Sequence, residues 1–344
     1  MRAIVHVDLD AFYASCEELD NISLRGKALA VAGKSDRAII TTANYKAREY
    51  GIHSAMPVFI AKNLCENLII VPMRRKRYLE KSKEVFDLLS TYTDIIEKVS
   101  IDESYLDLTD INPDYKFLKA MQDNILKKTG LSVSIGMSTN KFLAKLASDW
   151  NKPRGIKIIT KDEVPDILMD LDIRKIHGIG KKSEDKLRNL GIDKVCDLYN
   201  LEEDFLINLF GKSGEDIYKR IRGIDDREVQ TKIKRKSLGT ENTFFPTDNR
   251  RVLENYINIF SVEVSQDLIK RNLLGFTLTI KLKNDKFKIR TKSRIYEYGL
   301  YKKEDIYREG LILFREFYND DKIRLIGLTV SNLSDLKIHQ LTFL

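Results

Sequence analysis

Cysteine is scarce: Cys16, Cys65 and Cys196 are the 3 in 344 residues, far apart and without a CxxC pair. That excludes a disulfide-stapled scaffold and a Cys-rich zinc module, and it suits a reducing, cytoplasmic setting. Also absent is any run approaching the ~18 uninterrupted apolar residues of a membrane span. Asp8 and Asp10 interrupt the first apolar stretch, where a signal segment needs continuity. No internal repeat of fixed period and no low-complexity tract occurs. Neither GIGKKS (178–183) nor FGKSG (210–214) has the upstream glycine that a Walker A loop requires, so ATP hydrolysis is not supported.

Positive charge is plentiful but unevenly placed. The chain has 59 Lys+Arg against 51 Asp+Glu, a net charge of +8. Residues 1–230 hold 37 basic and 37 acidic residues, whereas residues 231–344 hold 22 and 14, so the whole surplus falls in the last third. A pI near 9.1 points to a polyanionic partner, and the break near 230 marks a domain boundary. With 43% apolar and 32% charged residues the composition is that of a folded globular protein. At ~150 residues per domain the length allows two or three domains.

Along the chain, AIVHVDLD predicts a buried strand running into acid, followed by the helical AFYASCEEL. ALAVAG, AIITTA and NLIIVPM predict further strands, with a short amphipathic NYKAREYG that stops at Gly51 and a helix after Pro57. RYLEKSKEVFDLLSTYT is an amphipathic helix, and IIEKVSIDESYLDLTD reads as two strands about a tight acidic turn. A helix over about 115–129, the strand LSVSIGMS, a helix from Asn140 and the strand GIKIIT follow. This order is the split βαβ, ferredoxin-like arrangement of an α+β fold, with 11–74 inserted after the first strand. Residues 164–229 predict short helices, TKIKRKSLG a basic linker, and 238 onward a strand, a helix over 248–271, a hairpin, a helix over 302–318 and a last strand.

Three carboxylates carry the chemistry: Asp8 at the end of the first strand, and Asp102 with Glu103 in SIDES. In a split βαβ sheet the first strand lies beside this hairpin, so the groups converge on one edge. Hard oxygen donors from separate strands suit Mg²⁺, and two such ions ~4 Å apart activate a hydroxyl and neutralise departing pyrophosphate. The alternative, strand-end caps and turn residues, is disfavoured because apolar strands run straight into acid.

The segments VDLDAFYASCEE, TTANYKAREYGI, SIDESYLDLT, IGMSTNKFLAKLASDWNKPRGI and IHGIGKKSEDKL resemble, in the same order, the motifs of Y-family translesion DNA polymerases, and look most like the DinB (DNA polymerase IV) branch. The resemblance runs over about 1–340. It implies a palm at 1–10 and 75–163, fingers at 11–74, a helical thumb with a helix-hairpin-helix at 164–229, a basic linker at 230–237, a little finger at 238–338 and a possible clamp-binding tail at 339–344.

The resemblance also implies residue roles. Asp8, Asp102, Glu103 and the Leu9 carbonyl match the ligands of two Mg²⁺ ions, and Asp10 reads as a helix N-cap. Tyr13, with neighbouring Phe12 as the alternative, matches the aromatic gate that excludes a ribose 2′-OH. Thr42, Tyr45, Arg48 and Lys152 match the residues that hold the dNTP triphosphate, as a phenol, a guanidinium fork and an ammonium suit phosphate oxygens. Ser54 and Ala55 match the small roof over the nascent base pair, which implies lesion tolerance and low fidelity. Gly178, Gly180 and Lys181, with Lys182, match the turn that approaches a DNA phosphate, while His177 reads as a packing or solvent residue.

Lys286, Lys288, Arg290, Lys292 and Arg294 recur at every second residue, so a strand would put all five on one face with Phe287, Ile289 and Ile295 on the other, against the helices. No acidic partner stands among them, and the stripe matches the DNA-gripping little finger. VPMRRKRY places more basic residues at the end of the insert, where they would touch template backbone. Gln340 to Leu344 resembles a sliding-clamp peptide with its last two residues exchanged.

The expectation is therefore a monomeric, cytoplasmic, template-directed DNA polymerase that uses primer–template DNA, dNTPs and Mg²⁺ and lacks a proofreading site. A diguanylate-type cyclase would lack the helix-hairpin-helix and basic hairpin. A non-catalytic DNA-binding protein would make the carboxylates incidental.

Overall fold

The computed structural model describes residues 2–336 except positions 34, 36, 37 and 233. It divides into two compact units, Met1–Lys232 and Ile233–Leu344.

In the first unit, β1 (Ile4–Leu9) leads into α1 (Phe12–Asp20). The inserted segment forms β2 (Leu29–Ala32), β3 (Ile40–Ala43), α2 (Tyr45–Arg48), α3 (Val58–Leu64) and β4 (Ile69–Pro72), with β2 central in its own three-stranded sheet. Next come α4 (Arg75–Leu89), β5 (Ile96–Lys98), β6 (Glu103–Asp107), α5 (Tyr115–Thr129), β7 (Val133–Ser138), α6 (Lys141–Ser148) and β8 (Ile156–Ile158). The main sheet has the order β5-β6-β1-β7-β8, with β1 antiparallel to both β6 and β7, and β8 parallel to β7. This is the expected split βαβ sheet with GIKIIT added as an edge strand. Val5, Val7 and Leu9 pack with Tyr78, Val85, Phe86 and Leu89 of α4 and Leu118, Met121 and Ile125 of α5 in one core, each apolar set at the period of its element.

The opposite face of β1 carries Ile4, His6 and Asp8, since successive strand residues alternate. There α6 lies directly on the sheet. A Cβ at Gly136 would collide with the backbone of Ala144 and Ser148, so only glycine permits this approach. Asn140 starts α6 by accepting from Leu143 N at 3.0 Å. Its far side, Phe142, Leu143 and Leu146, enters the core of a helical region. That region comprises α7 (Asp166–Met169), α8 (Lys181–Arg188), α9 (Val195–Tyr199), α10 (Glu203–Phe210) and α11 (Lys212–Arg220).

The second unit holds β9 (Ser237–Thr247), α12 (Arg250–Lys270), β10 (Leu273–Asn284), β11 (Ile289–Leu300), α13 (Lys303–Phe317) and β12 (Ile323–Asp335), with sheet order β11-β10-β12-β9. Leu278, Ile280 and Leu282 pack with Ile257, Phe260 and Leu313 of the two helices. Thr277, Thr279, Lys281 and Lys283 alternate with them on the other face of the sheet.

Among the described residues no helix is long and apolar enough to cross a membrane.

Candidate active site

The antiparallel register sets Asp8 opposite Glu103, and Leu9 N donates to the Asp102 carbonyl at 2.9 Å. All three acids therefore meet at one end of the central strand pair. Between Asp8 and Glu103 stands a lysine that motif reading did not single out. Lys145 Nζ lies 2.9 Å from Asp8 Oδ2, 3.1 Å from Glu103 Oε2 and 3.4 Å from Asp149 Oδ2. Lys152 Nζ takes the remaining Asp8 oxygen, Oδ1, at 2.7 Å and Asp149 Oδ1 at 2.7 Å. Asp102 stands at the rim and accepts from Ser100 Oγ at 2.5 Å. Among the described residues no group of three His, Cys, Asp or Glu side chains is gathered closely enough to hold a cation as it stands. The donors nonetheless fit a hard cation: they are carboxylate oxygens, and an ammonium already occupies the place between two of them.

The electrostatics follow from this geometry. Burial lifts the Asp102 carboxyl above its ordinary range, and the charges of Asp8 and Glu103 add to the lift. Glu103 goes the other way, down to about 2, through the approach of His6 first and then Lys145. His6 is wholly buried: Nδ1 is 2.8 Å from Ser148 Oγ, while Nε2 stands 3.5 Å from Glu103 Oε2, beyond a full hydrogen bond. Burial pulls the Lys145 ammonium down, but Asp8, Asp149 and Glu103 together hold it well above the usual lysine range.

Asp10 is not an N-cap. Ala11 holds that position with φ 44°, and no side chain caps α1. Asp10 is instead 2% exposed and accepts from Ser134 Oγ at 2.7 Å, Arg154 N at 2.9 Å and Tyr45 OH at 3.4 Å. An apolar strand running into acid signalled a ligand or a cap; this carboxylate is a knot joining β1, β7, α2 and the segment after α6.

Tyr13 is half-buried and stacks on Tyr78, with centroids 4.1 Å apart and planes 12° apart. Phe12 is 2% exposed within the core, so of the two aromatics only Tyr13 has a free edge. Tyr78 OH donates to Glu17 Oε1 at 2.6 Å, and Arg74 grips Glu17 and Asp20. Arg77 also binds Asp20, so half of the RRKR run braces α1 and α4, leaving Arg75 and Lys76 exposed.

On α2, Arg48 lies 4.6 Å over the Tyr45 ring and donates Nε to the Ala43 carbonyl at 2.9 Å. Burial first, then Asp10, raises the Tyr45 phenol well above its ordinary value. Thr42 is half-buried on β3, and Ser54 and Ala55 form an exposed turn.

In the helical region Gly180 caps α8 and Gly178 has φ 105°, a backbone that side chains rarely adopt. Arg220 Nη1 donates to the carbonyl of exposed His177 at 2.7 Å, tying α11 to this turn. Lys181 is exposed and pairs with Asp185 at 2.8 Å.

The basic stripe is arranged differently from the expectation. The hairpin turn is longer than ND alone, so Lys286 and Lys288 lie in it and β11 begins at Ile289. Arg290, Lys292 and Arg294 pair with Leu282, Ile280 and Leu278, the buried residues of β10, so these cations share the helix-covered face. From this edge strand their heads reach acids of α13 and of the segment after it. Arg294 and Lys292 contact Glu316 at 2.8 and 3.2 Å, and Arg290 contacts Asp321 at 3.5 Å. Ile289 and Ile295, 51% and 76% exposed, stand on the open face, and Phe287 is 61% exposed in the turn. The proposed clamp segment, Gln340 to Leu344, lies outside the described residues.

Comparison with known proteins agrees along the whole chain. The impB/mucB/samB family profile matches residues 7–149, the C-terminal domain of that family matches 235–343, and the IMS family HHH motif matches 161–192. The DNA polymerase IV of Staphylococcus haemolyticus (strain JCSC1435) is 41% identical over 99% of this chain and 97% of its own. That of Staphylococcus aureus (strain Mu3 / ATCC 700698) is 40% identical over 99% and 98%. Among solved structures, a Y-family DNA polymerase chimera of Dbh and Dpo4 matches with a TM-score of 0.87 at 30% identity, covering 96% of this chain and 98% of that one. DinB from Sulfolobus solfataricus matches with 0.66 over the same shares, also at 30% identity. The fold and the acidic strand ends thus place the molecule in the class of Y-family DNA-directed DNA polymerases. Within that class, the chain belongs to the impB/mucB/samB family, together with the DNA polymerase IV enzymes.

Proposed function

We propose that this polymerase extends primers across damaged template, taking dNTPs and holding two Mg²⁺ ions with Asp8, Asp102, Glu103 and the Leu9 carbonyl. The observation that carries the reading is the pairing of Asp8 with Glu103 across β1 and β6, with an ammonium between their oxygens. Bound there, divalent cations supply a lowered pKa for the attacking hydroxyl and neutralisation of the leaving pyrophosphate.

The protein's own part is placement. Lys152, Arg48 and Tyr45, with Thr42 beside them, hold the triphosphate, so that fixed positive charge faces the oxygens on which negative charge develops. Tyr13, kept flat by Tyr78, closes the space beneath the sugar against a 2′-OH. Ser54 and Ala55 add little bulk above the base pair, which supports tolerance of lesions and low fidelity. The α8 turn, through Gly178, Gly180 and Lys181, meets a DNA phosphate. In the C-terminal unit Lys286 and Lys288 of the turn, Arg290, Lys292 and Arg294 of the edge, and the small and cationic residues of the open sheet face grip the duplex without reading bases. The tail from Gln340 docks on a sliding clamp, and the enzyme works as a cytoplasmic monomer.

Primer extension by purified protein tests the catalytic assignment: Asp102→Ala drops to background, and undiminished extension refutes it. Tyr13→Ala admits ribonucleotides, and continued strict dNTP preference removes the gate assignment.

A further inference from the structure

The carboxylate pair is neutralised from within, and the source of that charge is fixed in place. Lys145 rises from α6, which the bare Gly136 backbone allows to lie against β7, and Gly136 is opposite His6, two residues before Asp8 on β1. The helix has no space to approach further and is held from behind by its own core, so the lysine stem always starts beside Asp8. Its ammonium contacts Asp8 and Glu103, while the other Asp8 oxygen is taken by Lys152. A cation entering between Asp8 and Glu103 meets a site already filled.

We propose that Lys145 is an internal counter-cation, a positioning residue that holds Asp8 and Glu103 together before catalysis and moves onto Asp149 when a divalent ion takes its place. The inference rests on the reading that these carboxylates bind divalent cations. Asp149 is the receiver because its Oδ2 is already 3.4 Å from Lys145 Nζ. In the described arrangement Asp149 also holds Lys152 through Oδ1 at 2.7 Å. A triphosphate that draws Lys152 away leaves Asp149 with a single cationic partner and strengthens its pull on Lys145. Nucleotide and metal binding then favour one another, because each removes an obstacle to the other. Without the lysine, Asp8 and Glu103 repel across the strand pair and the metal-free protein loses stability.

Mn²⁺ serves as the probe, titrated by electron paramagnetic resonance into the full-length protein without DNA or nucleotide. Wild type is compared with Lys145→Met and Lys145→Gln, the second retaining a polar head in case the first does not fold. Removal of a competitor raises the fraction of competent sites, so both variants bind Mn²⁺ about tenfold more tightly. Their thermal midpoints in EDTA fall below that of wild type, and saturating Mn²⁺ restores them. Mn²⁺ binding that is equal to wild type or weaker in both variants overturns the inference while leaving the cation site itself intact. No saturable binding in wild type and variants alike overturns the cation reading and this inference with it.

Discussion

In the N-terminal unit Lys141 and Glu97 form an ion pair at 2.6 Å with side chains 5% and 10% exposed, whereas in the C-terminal unit Lys292 and Arg294 share Glu316 with all three about two-fifths exposed. The buried pair is architectural: Glu97 also accepts from Gln230 N at 2.7 Å and Lys141 reaches the Glu228 carbonyl, so it anchors the chain where it leaves the helical region. Water has little access there, and backbone groups hold both charges further in place. The exposed cluster is exchangeable, because its acids hold the cations only weakly against solvent and phosphate. The two units thus use charge for different ends. The Lys141–Glu97 pair ties the N-terminal unit together internally, whereas Lys292 and Arg294 stay near solvent at a sheet edge.

The largest test of this division is Asp102→Ala: on the proposed function extension is lost while DNA affinity, measured by fluorescence anisotropy, stays within about twofold, because that reading assigns catalysis and duplex grip to separate sets of residues. A parallel loss of binding would break the division. Next, Lys141→Met leaves Glu97 charged and buried, and urea unfolding should report a loss of about 3–5 kcal/mol. A loss under about 1 kcal/mol would place this pair with the surface pairs. A smaller effect is expected from Arg290, Lys292 and Arg294 replaced together by Gln: the slope of log affinity against log salt falls by about 2.7, near 0.9 for each phosphate that is no longer neutralised. An unchanged slope would show that the open sheet face and the turn lysines do all the gripping. The smallest concerns Glu316→Gln, which leaves the unfolding midpoint unchanged and tightens DNA binding by releasing two cations; weaker binding would mean that Glu316 aligns them for phosphate.

Much of the fold was legible because it rests on local pattern. The apolar spacing of α4, the Asn140 cap of α6 and the strands that carry Asp8 and begin at Glu103 follow from residue type and period. Charge counts likewise separated the chain near residue 230, where the compact units divide at Lys232. The site was half legible. The sequence does carry a signal for Lys145: a lysine inside KFLAKLAS, a helix whose other residues are buried, must find an acid nearby. Asp10 could not be separated from a cap by its sequence neighbours, since its partners Ser134 and Arg154 are more than 120 positions away. The basic stripe misled because alternation says that residues share a face without saying which face. That choice was made by Leu278, Ile280 and Leu282 across the strand pair, with a long turn removing Lys286 and Lys288 from the strand.

By itself the sequence determined which segments are strands and helices, the order that closes a split βαβ sheet, and the acids available at its edge, because period and chemistry are properties of neighbours in the chain. Only the tertiary structure decided how those acids are balanced: that Lys145 and Lys152 fill both oxygens of Asp8, that Asp10 is a buried knot, and that the edge cations meet Glu316 and Asp321. Such pairings join residues far apart in the chain, and their free energy depends on distance, burial and register, which exist only once the sheet has formed.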